Sequence, residues 1–212
     1  MKKNGLLISV EGIDGSGKTV FSQALSKSLD QLNLQSVLTK EPGGTKFGLK
    51  LREILQYRHD FGQLDDRAEY LLFASDRAQH FSQVVIPNLQ AGKIVISDRT
   101  SDSSIAYQGY GRGLDIDMIK QINNWAMAGI KPHLTIYLKI DLQTAQNRIE
   151  QRAEKLTAFE QAGVAFMQRV IGGFDKLYQD RLDVLILDGK LPIVDLINQS
   201  CGQILKLINN YI

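Results

Sequence analysis

An α/β fold built on a doubly wound parallel sheet is predicted by two features of this 212-residue chain. Short apolar runs alternate with segments of helical periodicity, the pattern of parallel strands that are joined by helices. The motif Gly-x-x-x-x-Gly-Lys-Thr, at 12–19, stands between the first apolar run and the first helical segment. This strand, loop and helix setting is the one in which the motif binds phosphate groups.

Each apolar run is short and rich in branched side chains, which favours a strand. The five predicted strands span 6–10, 36–40, 94–98, 134–138 and 184–187. Helices are predicted near 21–32, 49–55, 65–90, 115–128, 142–152 and 193–212. The longest has Leu71 on its apolar side, and Pro87 is expected to kink or end it. Because ligands of such sheets bind beyond the carboxyl ends of the strands, we expect the site at that edge.

The glycine-rich loop carries the strongest functional signal. Its residues are Gly12, Ile13, Asp14, Gly15, Ser16, Gly17, Lys18 and Thr19. Glycines let successive backbone N–H groups turn towards phosphate oxygens, and the N-terminus of the next helix adds partial positive charge. Lys18 is expected to reach the outer phosphates of a nucleotide, and the Thr19 hydroxyl to ligate Mg²⁺.

Composition restricts the classes of partner. The chain is 43% hydrophobic and 23% charged, with a net charge of +2, so neither a membrane span nor a nucleic acid partner is expected. Cys201 is the single cysteine, which excludes an intramolecular disulfide. Residues 1–4 lead into the first strand without the apolar segment of a signal peptide, and a cytoplasmic location is expected.

Further charged residues are predicted at the same edge of the sheet. Asp98 ends the third strand, where phosphate-loop proteins place a carboxylate of the magnesium shell. Arg52, Arg77 and Arg99 suit an anionic second substrate, although surface arginines bound only to water are the alternative. The turn 41–45 contains one proline and two glycines, and it suits either a backbone bent towards a ligand or an ordinary surface turn.

Phosphate loops also serve GTPases and other ATPases. The Asn-Lys-x-Asp motif that reads guanine is missing from the chain. Its absence and the arginines favour a monophosphate kinase over a nucleotide-binding switch. A kinase of free deoxynucleosides is a further rival, but an uncharged nucleoside would give Arg52 and Arg99 nothing to bind.

Several stretches resemble the signatures of the thymidylate kinase family, namely 39–45, 71–80, 98–109, 111–113 and 131–138. The resemblance implies a single P-loop nucleoside-monophosphate-kinase domain over 1–212, with a five-stranded parallel sheet flanked by helices. It also implies a homodimer that transfers the γ-phosphoryl group of ATP to dTMP with Mg²⁺. The irregular segment at about 153–168 is expected to be a mobile lid, with an ordinary loop between helices as the alternative.

The resemblance further implies a role for each matching side chain. Residues that would bind dTMP are Asp14 at the 3′-hydroxyl, Arg52 and Arg99 at the phosphate, Phe73, Arg77, Ser104 and Gln108 at the base, and Tyr107 near the 2′ position. The magnesium group would be Thr19, Glu41 and Asp98, and the catalytic group Lys18, Asp98, Arg99 and Arg152. Core packing is the alternative role for Phe73 and Tyr107.

Two positions depart from the family pattern. Thr100 follows the Asp-Arg pair where an aromatic residue or histidine is usual, and looser local packing is expected there. Residues 156–160 read Leu-Thr-Ala-Phe-Glu where the lid of the family usually carries an Asp-Arg-x-Glu element. With Gly15 in the phosphate loop, the chain resembles the members in which the lid supplies the arginine that stabilises the transferring phosphoryl group, yet 153–168 contains no arginine. We predict that Arg152, with Arg148 as second choice, supplies this charge; Lys155 and an unassisted mechanism are the alternatives.

Overall fold

A computed structural model describes residues 5–56, 62, 64–152 and 156–211. Five parallel strands form one sheet in the order β2-β3-β1-β4-β5. They are β1 (Leu6–Glu11), β2 (Ser36–Lys40), β3 (Ile94–Asp98), β4 (Leu134–Lys139) and β5 (Val184–Asp188). The predicted sheet is confirmed, and no strand boundary differs from its predicted position by more than one residue.

Helices cover both faces of the sheet. They are α1 (Lys18–Gln31), α2 (Lys46–Gln56), α3 (Asp66–His80), α4 (Ile86–Gln90), α5 (Ser101–Ser104), α6 (Ile116–Ala126), α7 (Leu142–Gln151), α8 (Val164–Tyr178) and α9 (Ile193–Tyr211). Leu6, Ile8 and Val10 of β1 pack with α1 and α9. Leu7 faces the other side, with Phe81 and its neighbours. This alternation, which follows from the two-residue period of a strand, gives the doubly wound arrangement that the sequence predicts.

The long helix predicted over 65–90 is interrupted, but Pro87 does not end it. The chain runs from α3 through a π-helical turn, Phe81–Val85, into α4, which contains Pro87 in its first turn. Proline lacks an N–H donor, and its ring displaces the carbonyl group four residues earlier. The wider π turn accommodates both effects, so the helix continues to Gln90.

The predicted lid is shorter than expected. Residues 153–155, including Lys155, lie outside the described residues, and 156–163 form turns. Val164 begins α8, so the last five residues of the predicted lid are helical. Gly163, with a φ of 86°, ends the irregular segment, and the apolar side chains that follow it at helical spacing pack into the core.

Surface exposure also departs from one expectation. Leu71 is 54% exposed rather than on a buried face of α3. Within the described ranges, none of the helices combines the length and the apolar character that crossing a membrane requires.

Candidate active site

The phosphate loop connects β1 to α1. Gly12, Gly15 and Gly17 have φ angles of 151°, 81° and 90°, which glycine adopts without the strain of a side chain. The Nζ atom of Lys18 donates to the backbone oxygen of Ile13 at 2.8 Å, so the ammonium group lies within the curve of the loop. Burial, reinforced by the positive charge of Arg99, lowers the pKa of Lys18 to about 8.

Two of the three predicted magnesium ligands, Thr19 and Asp98, meet at the N-terminal end of α1. Thr19 Oγ1 donates to Asp98 Oδ2 at 2.7 Å. A hydroxyl and a carboxylate are hard oxygen donors that fit Mg²⁺, which in kinases takes its other ligands from phosphates and water. The described part of the chain contains no cluster of three or more His, Cys, Asp or Glu side chains that could hold a metal.

Glu41, the third predicted magnesium ligand, is engaged by protein partners. Its Oε2 accepts from Arg77 Nε at 2.8 Å, and its Oε1 lies 2.8 Å from His80 Nδ1. Burial opposes ionisation, but Arg77 and His80 hold the pKa of Glu41 below its usual value. The turn that Glu41 begins is buried over Glu41–Gly43 rather than lying on the surface, and Glu41 and Pro42 line the cavity described below.

Asp14, Arg99 and Tyr107 form one cluster. Arg99 Nη2 donates to Asp14 Oδ1 at 2.6 Å, and the Tyr107 hydroxyl donates to Asp14 Oδ2 at 3.2 Å. Arg99 Nη1 also donates to the backbone oxygen of Gly12 at 2.8 Å, which ties the arginine to the phosphate loop. Burial opposes ionisation of Asp14, but Arg99 and Lys18 keep its pKa below the usual value.

Arg77 is 1% exposed, and most of its donors are occupied. Its Nε donates to Glu41, Nη1 to Asn123 Oδ1 at 2.7 Å, and Nη2 to Thr100 O and Ser104 Oγ, each at 3.1 Å. Four of the five N–H groups of the guanidinium are therefore used. The remaining N–H, on Nη1, is the one available for a substrate.

Two adjacent cavities lie at the predicted edge of the sheet. The first is lined by all eight residues predicted to bind the acceptor, together with part of the 41–45 turn and the lid: Asp14, Arg52, Phe73, Arg77, Arg99, Ser104, Tyr107, Gln108, Glu41, Pro42, Thr157 and Phe159. The second is lined by the phosphate loop and the predicted catalytic side chains: Gly15, Gly17, Lys18, Thr19, Asp98, Arg148 and Arg152. The cavities share six lining residues, so the predicted set is brought together: Asp14, Glu41, Arg52, Gln56, Arg99 and Thr157.

The two predicted aromatic contacts differ in burial. Tyr107 is 5% exposed and packs at 5.9 Å from the ring of Phe159, so it belongs to the core while its hydroxyl reaches Asp14. Phe73 is half-buried, and its ring lies 5.8 Å from that of Phe159. Phe159 was not predicted as a site residue, because a single phenylalanine in an irregular segment gives no periodic signal.

A buried carboxylate beneath the site was also missed. Glu11 Oε1 accepts from the Thr100 backbone N–H at 2.7 Å and the Ser9 hydroxyl at 2.8 Å, while Oε2 accepts from the Ser103 hydroxyl at 2.6 Å. The expected looser packing at Thr100 is wrong, because its side chain is fully buried and its hydroxyl lies 2.8 Å from that of Ser9. Small hydroxyl side chains replace aromatic packing here with hydrogen bonds.

The candidate arginines for the transferring phosphoryl group approach the phosphate loop from α7. Arg148 Nη1 lies 3.4 Å from the backbone oxygen of Ser16, and Nη2 donates to Gly189 O at 3.0 Å. Arg152, which follows α7, forms an ion pair with Glu160 in the lid. Both line the cavity that contains Lys18.

The fold and the paired cavities define a P-loop kinase of the nucleoside-monophosphate kind. A family model described as thymidylate kinase matches residues 10–200. Thymidylate kinases of Nostoc punctiforme and Leuconostoc citreum are 41% and 39% identical to the chain, over 96% and 97% of its length and the same shares of theirs. The crystal structure of thymidylate kinase from Ehrlichia chaffeensis superposes with a TM-score of 0.76 at 31% identity, over 95% of this chain and 99% of that one. The chain belongs to the thymidylate kinase family.

Proposed function

We propose that the chain transfers the γ-phosphoryl group of ATP to dTMP, forming dTDP and ADP, a step in the synthesis of dTTP. The observation that carries the proposal is the cavity beside the phosphate loop, which eight side chains suited to a deoxynucleoside monophosphate line together. Membership of the thymidylate kinase family supports the same substrate pair.

On the donor side, the phosphate loop would bind the β- and γ-phosphates of ATP. The Lys18 ammonium lies within the curve of the loop, and backbone N–H groups at such a helix N-terminus would bind the phosphate oxygens. Thr19 and Asp98 would hold Mg²⁺. The ion, when bound, neutralises charge on the phosphate oxygens. Glu41, with both carboxylate oxygens engaged by Arg77 and His80, would act on the water shell of the ion.

On the acceptor side, Arg99 and Arg52 would bind the phosphate of dTMP. Arg99 is tied to Gly12 and Asp14, so an anion that it holds lies next to the γ-phosphate site. Phosphoryl transfer depends mainly on positioning and on charge stabilisation, and this juxtaposition supplies the positioning. Asp14 would accept a hydrogen bond from the 3′-hydroxyl, and Tyr107 would occupy the space of a 2′-hydroxyl.

A coupled assay of ADP release with each common nucleoside monophosphate tests the proposal. We expect turnover with dTMP, weaker turnover with dUMP and none with purine monophosphates. Equal efficiency with purine monophosphates would contradict the base contacts, and no turnover with any monophosphate would favour a nucleotide-binding switch. Thymidine is the control for the remaining rival: if it were phosphorylated faster than dTMP, the chain would be a deoxynucleoside kinase.

A homodimer is proposed on the family resemblance and on exposed apolar side chains of two helices that pack together. Leu71 of α3 is 54% exposed, and Met118 and Trp125 of α6 are 54% and 82% exposed. Met118 and Trp125 are seven positions apart and share one face of α6. Light scattering should give twice the chain mass, and Trp125→Glu should give the monomer.

The cytoplasm, which supplies both ATP and nucleoside monophosphates, is the proposed location. Fractionation of cells followed by assay of the fractions for dTMP phosphorylation would test it.

A further inference from the structure

Glu69 is a buried carboxylate whose role is not explained by the contacts described above. It lies on α3 with none of its surface exposed. Its Oε1 accepts from the side-chain amide nitrogen of Gln108 at 2.9 Å, and its Oε2 accepts from Arg112 Nη2 at 3.1 Å. Gln108 is 1% exposed and lines the acceptor cavity. Glu69 is thus one contact removed from any molecule that occupies this cavity.

The hydrogen bond between Gln108 and Glu69 determines which end of the Gln108 amide reaches the cavity. A carboxylate paired with an arginine can only accept hydrogen bonds, whereas an amide has a donating NH₂ and an accepting carbonyl oxygen. Gln108 must therefore turn its NH₂ towards Glu69, which leaves its carbonyl oxygen for the substrate. Arg112 engages the other carboxylate oxygen of Glu69 at 3.1 Å.

Neighbouring groups on the same wall present donors. The Ser104 Oγ atom already accepts from Arg77 Nη2, so its own hydrogen is free to donate. Arg77 has one further N–H on Nη1. The wall therefore offers donors at Ser104 and Arg77 and an acceptor at Gln108.

This pattern matches one class of pyrimidine edge. Thymine and uracil present a carbonyl oxygen next to N3–H, an acceptor followed by a donor. Cytosine presents an amino group next to a bare N3, a donor followed by an acceptor. With the Gln108 amide held in this orientation, the bare N3 of cytosine would face the Gln108 carbonyl oxygen, an acceptor against an acceptor. The exocyclic amino group would face the donors of Ser104 and Arg77, so neither pair could form a hydrogen bond.

We propose that Glu69 is a specificity-positioning residue, which by fixing the Gln108 amide makes the site select a pyrimidine that carries N3–H over one with a bare N3. The inference rests on the proposed function, since it assumes a pyrimidine monophosphate in the acceptor cavity. It adds a residue outside the cavity to those that determine the base.

The test compares dTMP with 5-methyl-dCMP, which keeps the methyl group and changes only the edge. Efficiency, kcat/KM, is measured for both in the wild type and in Glu69→Gln. A glutamine at 69 can donate to the carbonyl oxygen of Gln108, which allows the Gln108 amide to turn over and present its NH₂. We expect the ratio of dTMP to 5-methyl-dCMP efficiency to fall by about tenfold, the scale of one hydrogen bond.

Three further proteins separate orientation from general damage. Gln108→Leu should lower the efficiency with dTMP without a gain for 5-methyl-dCMP, and in the Glu69→Gln/Gln108→Leu double variant the Glu69 substitution should no longer change the ratio. Glu53→Gln, which alters an exposed carboxylate on α2, should leave the ratio unchanged. An unchanged ratio in Glu69→Gln, or an equal fall in the Gln108→Leu background, overturns the inference.

Turnover of dTMP by the wild type is measured first and separates this inference from the proposed function. Its absence refutes that function, whereas an unchanged ratio with an active wild type refutes only the role of Glu69. If Glu69→Gln does not fold, neutron diffraction of the wild type with dTMP gives the answer. Deuterium on the Gln108 nitrogen towards Glu69 supports the inference, and the opposite orientation overturns it.

Discussion

The pKa of Glu11 should make the stability of this protein depend on pH between 5 and 8. The side chain is fully buried and accepts hydrogen bonds from Thr100, Ser9 and Ser103. Burial is the largest cause that raises the pKa of Glu11, and the negative charge of Asp102 is the second. Together they raise this pKa to about 7 despite the hydrogen bonds, which favour the ionised form. Replacing it with glutamine removes the titration and nearly preserves the volume.

The sign follows from proton binding. The unfolded chain releases the Glu11 proton near pH 4.5, and the folded chain holds it until about pH 7. Within that window the folded state binds more protons, so the free energy of unfolding falls as the pH rises through it. The stability that protonated Glu11 contributes is fully present below pH 4.5, its pKa in the unfolded chain, and is lost as the pH rises through about 7, its pKa in the folded chain. From pH 5 to pH 8 the loss amounts to about 2–3 kcal/mol.

Urea unfolding of the wild type and of Glu11→Gln at both pH values measures the effect. The difference in free energy of unfolding between the two proteins should change by about 2–3 kcal/mol between pH 5 and pH 8, moving in favour of the variant at pH 8. Asp76, whose pKa burial raises to about 6, is present in both proteins and cancels. If the difference in free energy of unfolding between wild type and variant changes by less than about 0.5 kcal/mol from pH 5 to pH 8, the pKa given for Glu11 is refuted. That threshold is the error within which the effects of distant sites add.

Three predictions concern catalysis. Arg152→Ala should lower kcat about a thousandfold, which is the lower end of the effect of an arginine that stabilises the transition state. Calorimetry should show little change in dTMP affinity, because the contact is made chiefly in the transition state. Wild-type turnover in both this variant and Arg148→Ala would point to Lys155 or an unassisted mechanism. Arg52→Gln should raise the KM for dTMP more than it changes the KM for ATP, because the family resemblance assigns Arg52 to the phosphate of dTMP although it lines both cavities. Equal effects on both KM values would refute an acceptor role. Removing the 5-methyl group should cost dUMP about 1–3 kcal/mol in kcat/KM relative to dTMP, and equal efficiency would exclude a methyl contact.

The sheet and the phosphate loop were predictable because their signals are local. Each strand is a short apolar run, and Gly12 to Thr19 is one continuous motif. Charge and placement indicated the arginines of the acceptor cavity, Arg52, Arg77 and Arg99. The roles of its other residues came only from the family resemblance, since no spacing rule joins Asp14 to Tyr107, 93 positions apart. The sheet brings them together by placing the ends of β1 and β3 side by side.

The buried acids could not be predicted. Glu11 contacts the backbone of Thr100, 89 positions away, and Glu69 contacts Gln108, 39 positions away. In sequence, each is an isolated acid with no periodicity that distinguishes it from a surface residue. Glu69 contacts Gln108 directly, and Glu11 reaches Arg99 through the Ser103 hydroxyl, which accepts from Arg99 Nη1 at 2.9 Å. The information missing from the sequence therefore concerns what holds the substrate contacts in place.

The position of the missing arginine follows from packing at Gly15. A Cβ at this position would lie 2.6 Å from the backbone oxygen of Ala145, and the φ of 81° disfavours any side chain. The phosphate loop therefore cannot carry the arginine as the two segments are packed. Four arginines line the cavity beside the loop, and since Arg52 and Arg99 are assigned to the acceptor phosphate, Arg148 and Arg152 are left. Arg148 is bound to backbone oxygens on the loop and at Gly189, contacts that maintain the shape of the loop. We expect Arg152, which is bound to Glu160 of the predicted lid, to move with that segment, and this favours Arg152 over Arg148 for a contact made on closure.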